Sequence, residues 1–180
     1  IVGERFVTHP DVAKVVFTGS TEVGIGVAEG CARQVKPVTL ELGGKSANVV
    51  FADADLAAAA ATAPYAVFDN AGQDCCARSR ILVERSALDD FLALLEPAVL
   101  GVRVEDPRRE TSEMGPLISA GQRDRVASYV TESTNVVIRG SVPEGPGFWY
   151  PPTVIVPETP DDPVLREEIF GPVVAVVPFE

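Results

Sequence analysis

Val15-Val16-Phe17-Thr18-Gly19-Ser20-Thr21-Glu22-Val23-Gly24 is the stretch on which the fold turns. Three apolar residues in a row predict a short buried strand, broken at Gly19 and followed at once by a helix-like run that continues to Arg33. A strand that ends at glycine and feeds a helix leaves the first N–H groups of that helix without partners, beside the positive end of its dipole. Such a turn suits a phosphate, and it is equally an ordinary strand-to-helix turn of an α/β domain. Gly24 and Gly26, early in the helix, leave room for a neighbouring element to approach.

Outward from that unit the same alternation continues. Val38-Thr39-Leu40-Glu41-Leu42 reads as a strand running into Gly43-Gly44, and Ala47-Asn48-Val49-Val50-Phe51 as another. Asp53 or Asp55 is placed to cap the alanine-rich helix that follows. Cys75 and Cys76 fall in a loop or first helical turn ahead of the strand Arg80-Ile81-Leu82-Val83. A helix is expected over 87–102, with Leu88, Phe91, Leu92, Leu95 and Val99 on its apolar face, and another over 119–132. Val136-Val137-Ile138, Val154-Ile155-Val156 and the apolar end segment 172–180 read as strands, the last as a buried one. Strands alternating with helices predict an α/β fold with a mostly parallel sheet. The composition shifts near residue 42, which divides the chain into 1–42 and 43–180.

Composition narrows the function. The chain has 180 residues, 46% hydrophobic and 23% charged, the balance of a folded globular protein. Its formal net charge is −11, spread along the sequence as a solvated surface, and no basic stripe exists to neutralise phosphates. Nucleic acid is therefore not an expected partner. No apolar run is long enough to cross a bilayer, and Glu4, Arg5, His9 and Pro10 stand where a signal peptide would be apolar. Cys31, Cys75 and Cys76 form neither a disulfide framework nor a metal-ligand spacing, so a reducing cytoplasm is expected and no metal is. Ile1 is not an initiator residue and the end segment stops inside a strand, which points to a piece of a larger protein.

Two segments carry chemistry. Gly72-Gln73-Asp74-Cys75-Cys76 and Leu40-Glu41-Leu42-Gly43-Gly44-Lys45-Ser46 set a thiol and a carboxylate among small residues at element boundaries. A thiolate can attack a carbonyl and hold it covalently, and a carboxylate can then activate water to release it. The single histidine, His9, sits in a His9-Pro10-Asp11 turn with a solvent-facing reading, so a Cys–His pair has no support. Cys31 reads as a helix-face core residue. Arg78 and Arg80 read as structural, with Arg80 anchoring the loop through backbone carbonyls.

These segments, taken in order, resemble the aldehyde dehydrogenase superfamily through nearly all of the chain. Residues 17–24 resemble its cofactor pyrophosphate turn, 40–46 its glutamate signature, 72–75 its cysteine signature and Glu168-Ile169-Phe170-Gly171-Pro172-Val173 its later cofactor-contact motif. Met114-Gly115-Pro116-Leu117 and Pro152-Thr153-Val154 are weaker landmarks in the same order. The resemblance implies that Cys75 is the nucleophile and Glu41 the general base. It implies that Gly19 and Ser20 lie near the cofactor phosphates, Leu42 and Gly43 near the nicotinamide, and Glu168, with Phe170 beside it, at the nicotinamide-side ribose. Residues 1–42 would be the end of a Rossmann-type NAD(P)-binding domain and 43–180 most of the α/β catalytic domain.

The implied reaction oxidises an aldehyde to a carboxylic acid. Cys75 adds to the carbonyl, hydride passes to NAD or NADP, and water activated by Glu41 hydrolyses the thioester. Cys76 occupies a position with no required role, and Asp74 should raise the thiol pKa slightly by like-charge repulsion. The full-length protein would be a homodimer or homotetramer. A coenzyme A-acylating semialdehyde dehydrogenase is the nearest alternative, disfavoured by Glu41. A non-catalytic binding or structural role is the other, disfavoured by Cys75 and Glu41 together. As an isolated chain, these residues are expected to be inactive.

Overall fold

The computed structural model describes residues 2–131 and 134–180. The chain divides into two compact units, one ending at Gly44 and the other beginning at Lys45.

The first unit holds helix α1 (Val2–Thr8), strand β1 (Val15–Thr18), helix α2 (Thr21–Ala32) and strand β2 (Val38–Glu41). The two strands pair in parallel, Val15 opposite Val38 through Thr18 opposite Glu41, with α2 as the crossover. This is the βαβ arrangement that parallel pairing requires. Ser20 starts α2 by accepting a hydrogen bond on its Oγ from the Val23 N–H, 3.3 Å. Lys36 does a job its sequence context does not announce. Its buried ammonium donates to the carbonyls of Val7 (2.8 Å) and His9 (2.9 Å), satisfying acceptors at the end of α1. The expectation that Val15-Val16-Phe17 is a buried strand is corrected: Val16 is 65% exposed and burial alternates along β1. A two-stranded sheet with a single crossover helix covers one face, so every second side chain is left out.

The second unit is built on a five-stranded sheet of order β3-β4-β7-β6-β5. Its strands are β3 (Ala47–Val50), β4 (Arg80–Glu84), β5 (Val136–Arg139), β6 (Thr153–Ile155) and β7 (Val173–Phe179). All neighbours pair in parallel except β5 with β6. The expected mostly parallel sheet is therefore present. β7 lies between β4 and β6, and Val173, Val174, Ala175 and Val176 are buried. That central place is why the end segment is apolar without alternation.

Helices α3 (Leu56–Phe68) and α4 (Leu88–Leu100) pack together, with Phe91, Leu95 and Val99 facing the core as their spacing predicts. Of the two possible caps for α3 it is Asp55 that serves, accepting from the Ala58 N–H at 3.0 Å. Helix α5 (Ala120–Ser128) is shorter than the expected 119–132. Ser128 Oγ donates to the Arg125 carbonyl, and the N–H groups of Tyr129 and Val130 turn back to the carbonyls of Val126 and Ala127. The last turn is thereby tightened and closed. The expected end at Glu132 lies outside the described residues. A single turn, α6 (Pro163–Arg166), leads into the segment before β7. No helix among the described residues is long and apolar enough to cross a membrane.

Candidate thiol and glutamate site

The loop that carries Cys75 is fixed before the cysteine is reached. After α3 the chain passes through three successive left-handed residues, Asn70 (φ 51°), Ala71 (φ 57°) and Gly72 (φ 69°). Two of these are not glycine, and each such residue costs on the order of 1 kcal/mol or more. The surroundings hold them there. Asn70 Nδ2 donates to the Gln73 carbonyl (2.9 Å) while Gln73 Nε2 donates to the Asn70 carbonyl (3.1 Å), a reciprocal bracket. Gln73 Oε1 accepts from the Ile118 N–H at 3.0 Å and ties the loop to the segment after Met114-Gly115-Pro116-Leu117. A side chain at Gly72 would collide with the backbone of Gly171 and Pro172.

Cys75 and Cys76 then occupy a turn closed by the Ala77 N–H on the Asp74 carbonyl, 3.1 Å. Asp74 Oδ1 accepts from the Cys76 N–H at 3.0 Å. The arrangement presents Cys75 to solvent, with its sulfur 3.8 Å from that of Cys76. The Cys75 thiol is pushed up from the ordinary cysteine range, first by its hydrogen bond with Cys76, then by the charge Cys76 can carry and by burial, with Asp74 adding to it. The like-charge push expected from Asp74 is present but secondary. Cys31, by contrast, is fully buried and takes no part, as its helix-face position predicts.

Across the Gly72–Gly171 contact stands the segment with Glu168 and Phe170. Phe170 is also left-handed (φ 56°) and 38% exposed. Gln122 Nε2 donates to the Phe170 carbonyl (2.8 Å) and the Ile169 carbonyl (3.2 Å), and Arg125 donates to the Glu168 carbonyl (3.3 Å). Helix α5 therefore holds this segment by its main chain. Gly171 is needed because a side chain there would run into Val126. Lys45, at the start of the unit, has a half-buried side chain whose ammonium nitrogen has no hydrogen-bond partner among the described residues. Burial, and then the Arg80 charge, lower its pKa to about 8, against the opposing pull of Glu168 and Glu167. Arg80 donates to the Lys45 carbonyl, as the backbone-anchoring role predicts.

In the first unit, Gly19, Ser20, Glu41 and Leu42 gather at the carboxyl ends of β1 and β2. The Gly19 N–H donates to the Glu41 carbonyl at 3.1 Å. Gly24 lets the Leu42 side chain lie on α2, where an added Cβ would come within 2.6 Å of Leu42 Cδ2. Glu41 ends β2 with its side chain exposed, and Gly43 and Gly44 follow. The strand ends of an open parallel sheet beside a helix N-terminus are where α/β proteins take up phosphorylated ligands. The donors fit a pyrophosphate: a 12-residue helix with a bare glycine before its cap. Glu22 in the first turn weakens that fit electrostatically. A cavity of about 860 Å³ is a separate feature of this unit, apolar and lined by Phe6, Val7, Val15, Phe17 and Val27 among others. It contains none of the candidate residues.

Each unit thus assembles its own share of the residues named from sequence: Gly19, Ser20, Glu41, Leu42 and Gly43 in the first, Cys75, Glu168 and Phe170 in the second. Sequence reasoning missed Gln73 as the bracket of the loop, the Gly72–Gly171 contact and the half-buried Lys45. For the glycines a signal existed, since both sit inside quoted motifs, but a motif does not say which two touch.

The whole chain, residues 1–180, matches the model of the aldehyde dehydrogenase family. Betaine aldehyde dehydrogenase 1 of Rhizobium meliloti (strain 1021) is 42% identical over 185 residues, which take in 99% of this chain and 38% of that protein. The peroxisomal aminoaldehyde dehydrogenase 2 of Pisum sativum is 40% identical over 98% of this chain and 36% of its own length. Among solved structures, an NAD-dependent aldehyde dehydrogenase from Sinorhizobium meliloti superposes with a TM-score of 0.94 at 41% identity, covering 99% of this chain and 36% of that one. The betaine aldehyde dehydrogenase of Staphylococcus aureus in complex with NAD+ gives 0.92 at 36% identity, with 99% and 37% covered. The chain spans somewhat over a third of the length of these relatives.

Proposed function

Because the chain belongs to the aldehyde dehydrogenase family, we propose that the protein it forms part of oxidises a small aldehyde to a carboxylic acid with NAD or NADP, and that this segment supplies the nucleophile, the general base and part of the cofactor site. Residues 1–42 are the end of the NAD(P)-binding domain and 43–180 the thiol-bearing catalytic domain. The observation that carries the reading is the presentation of Cys75. An exposed thiol is held on a loop whose left-handed residues are maintained by a side-chain bracket and by a glycine-to-glycine backbone contact. Left-handed backbone kept in place beside an exposed thiol supports a functional site there.

The mechanism follows from what these residues can do. Cys75 must first lose its proton, and the contact with Cys76 resists that loss, so the thiol rests protonated. As thiolate it forms a bond to the aldehyde carbon. Bound nicotinamide supplies the two-electron acceptor for the oxidation. Gly19 and Ser20 at the start of α2 would hold its pyrophosphate, Leu42 and Gly43 would flank the nicotinamide, and Glu168, beside Phe170, would hold the adjoining ribose. Glu41 takes a proton from water, the water attacks the acyl carbon on Cys75, and the acid leaves as the thiol is restored. General-base help of this kind is worth about 10²–10⁴-fold. Glu41 favours water over coenzyme A as the acceptor. The full-length protein is a cytoplasmic homodimer or homotetramer in this reading.

The test uses the full-length protein with betaine aldehyde and aminoaldehydes, the compounds named by its relatives, as first substrates. Aldehyde-dependent reduction of NAD or NADP is expected. In Glu41→Gln an initial burst of reduced cofactor should precede slow turnover, with acyl groups trapped on Cys75. Turnover that requires coenzyme A would select the acylating alternative, and a Cys75→Ser protein of undiminished activity would overturn the assignment.

A further inference from the structure

Sequence spacing offers no metal site here, because motif rules look for ligands two or more residues apart. The fold places three ligands together nonetheless. Asp74, Cys75 and Cys76 are all exposed, and one ligand atom from each lies within 4.8 Å of the other two. We propose that Asp74, Cys75 and Cys76 form a binding site for a thiophilic divalent cation of the zinc or cadmium type, which caps the nucleophile reversibly.

The sulfur separation, which also admits the S–H···S hydrogen bond described above, distinguishes a shared metal from a disulfide. A disulfide needs an S–S distance of about 2.05 Å. Two thiolates on one tetrahedral zinc, with Zn–S bonds of about 2.3 Å, stand about 3.8 Å apart. The separation of Cys75 and Cys76 is 3.8 Å. The pair is therefore spaced for a shared metal and would have to close by almost half to join. The main chain that carries both sulfurs is held in its turn, since both the Cys76 and the Ala77 N–H groups are bonded to Asp74.

The donor set gives the class of ion. Two sulfurs and one carboxylate suit a soft or borderline cation and disfavour magnesium and calcium, which demand oxygen ligands. Three protein ligands on an exposed turn leave a fourth tetrahedral position for water. Binding replaces two thiol protons with one metal ion, both protons going to solvent, so affinity must rise with pH. Cys31, fully buried, cannot compete. The metal site stands on this geometry alone. That its occupation stops turnover rests on the reading of Cys75 as nucleophile.

The experiment takes the reduced, metal-free full-length protein and titrates it with Cd2+, following the ultraviolet charge-transfer band of cadmium bound to thiolate. One equivalent per chain should bind, more tightly at higher pH. Cys76→Ser should weaken binding by more than the ~10-fold that loss of even an outer partner costs, and Asp74→Asn by a smaller factor. In the unmutated protein, Zn2+ should protect Cys75 and Cys76 together from alkylation, read by mass, and EDTA should restore both. Inhibition of aldehyde oxidation by Zn2+, taken relative to each variant's own metal-free rate, should be relieved in Cys76→Ser. No thiolate band, unchanged affinity in Cys76→Ser, or protection of Cys75 alone would overturn the site. Binding without any aldehyde oxidation would leave the site intact and remove the dehydrogenase reading instead.

Discussion

The loop bearing Cys75 and the strand end bearing Glu41 solve opposite problems. Around Cys75 the backbone is forced into three left-handed residues, bracketed by Asn70 and Gln73, and pressed against Gly171. Around Glu41 the backbone is an ordinary strand end followed by two glycines, and its side chain makes no hydrogen bond among the described residues. A nucleophile must meet its carbon at one distance and angle, and misplacement by about 1 Å can cost on the order of 10²-fold. A base that works through a water tolerates a looser mount, and one that acts after another step gains from being able to withdraw. On the proposed function, rigidity is placed where the covalent bond would form.

Substitutions in the two regions sharpen the contrast. Cys75→Ser should lower steady-state turnover on the order of 10⁴-fold or more, with no burst, because the thiolate has no substitute. Glu41→Gln should lose about 10²–10⁴-fold in the hydrolytic step alone and keep the burst. Equal loss of both phases in the two variants would erase the division of labour.

The next effect is on stability. Gly72→Ala places a methyl group against Gly171 at a positive φ, and should cost about 1–3 kcal/mol, seen as a melting temperature lower by several degrees. Gly26→Ala, inside α2 with nothing within 4 Å of the added carbon, should instead raise stability by about 0.5–1 kcal/mol. A harmless Gly72→Ala would mean that the loop is not pinned.

Smaller effects probe the charges. Cys76→Ala removes the main upward push on Cys75, so alkylation of Cys75 near neutral pH should quicken. An unchanged rate would assign that push to Asp74. Lys45 has its pKa lowered to about 8 from the ordinary 10.5. Between those values the unfolded chain holds a proton that the folded one has released, so stability should rise with pH across that window. In Lys45→Met this rise should shrink; urea midpoints at the two ends of the window measure it.

Much of the fold could be read in advance because its signals are local. The strand-turn-helix at Val15–Gly24, the apolar face of α4 and the unbroken apolar run of β7 each follow from periodicity in a short window. Burial of Val16 could not be read that way, since it depends on how many elements cover a sheet face. The end of α5 was missed because Ser128 closes it through its own hydroxyl, a competition that helical spacing does not reveal. At the candidate site, residue types and order single out Cys75 and Glu41 as the residues to test. The Gly72–Gly171 contact joins positions far apart in sequence through main-chain atoms, which leave no pattern of side chains to read. Cys76 was passed over for a related reason: adjacency in sequence says nothing about whether two thiols share a side of the turn.

The meeting of Gly72 with Gly171 acts as a ruler made only of main chain. A spacing set by side chains drifts whenever one of them is exchanged, whereas here two peptide planes touch and no side chain intervenes. On the proposed function, the walls around an aldehyde could therefore be rebuilt residue by residue while the offset between the thiol loop and Phe170 keeps its length. Catalytic distance and substrate choice would then be separately adjustable quantities.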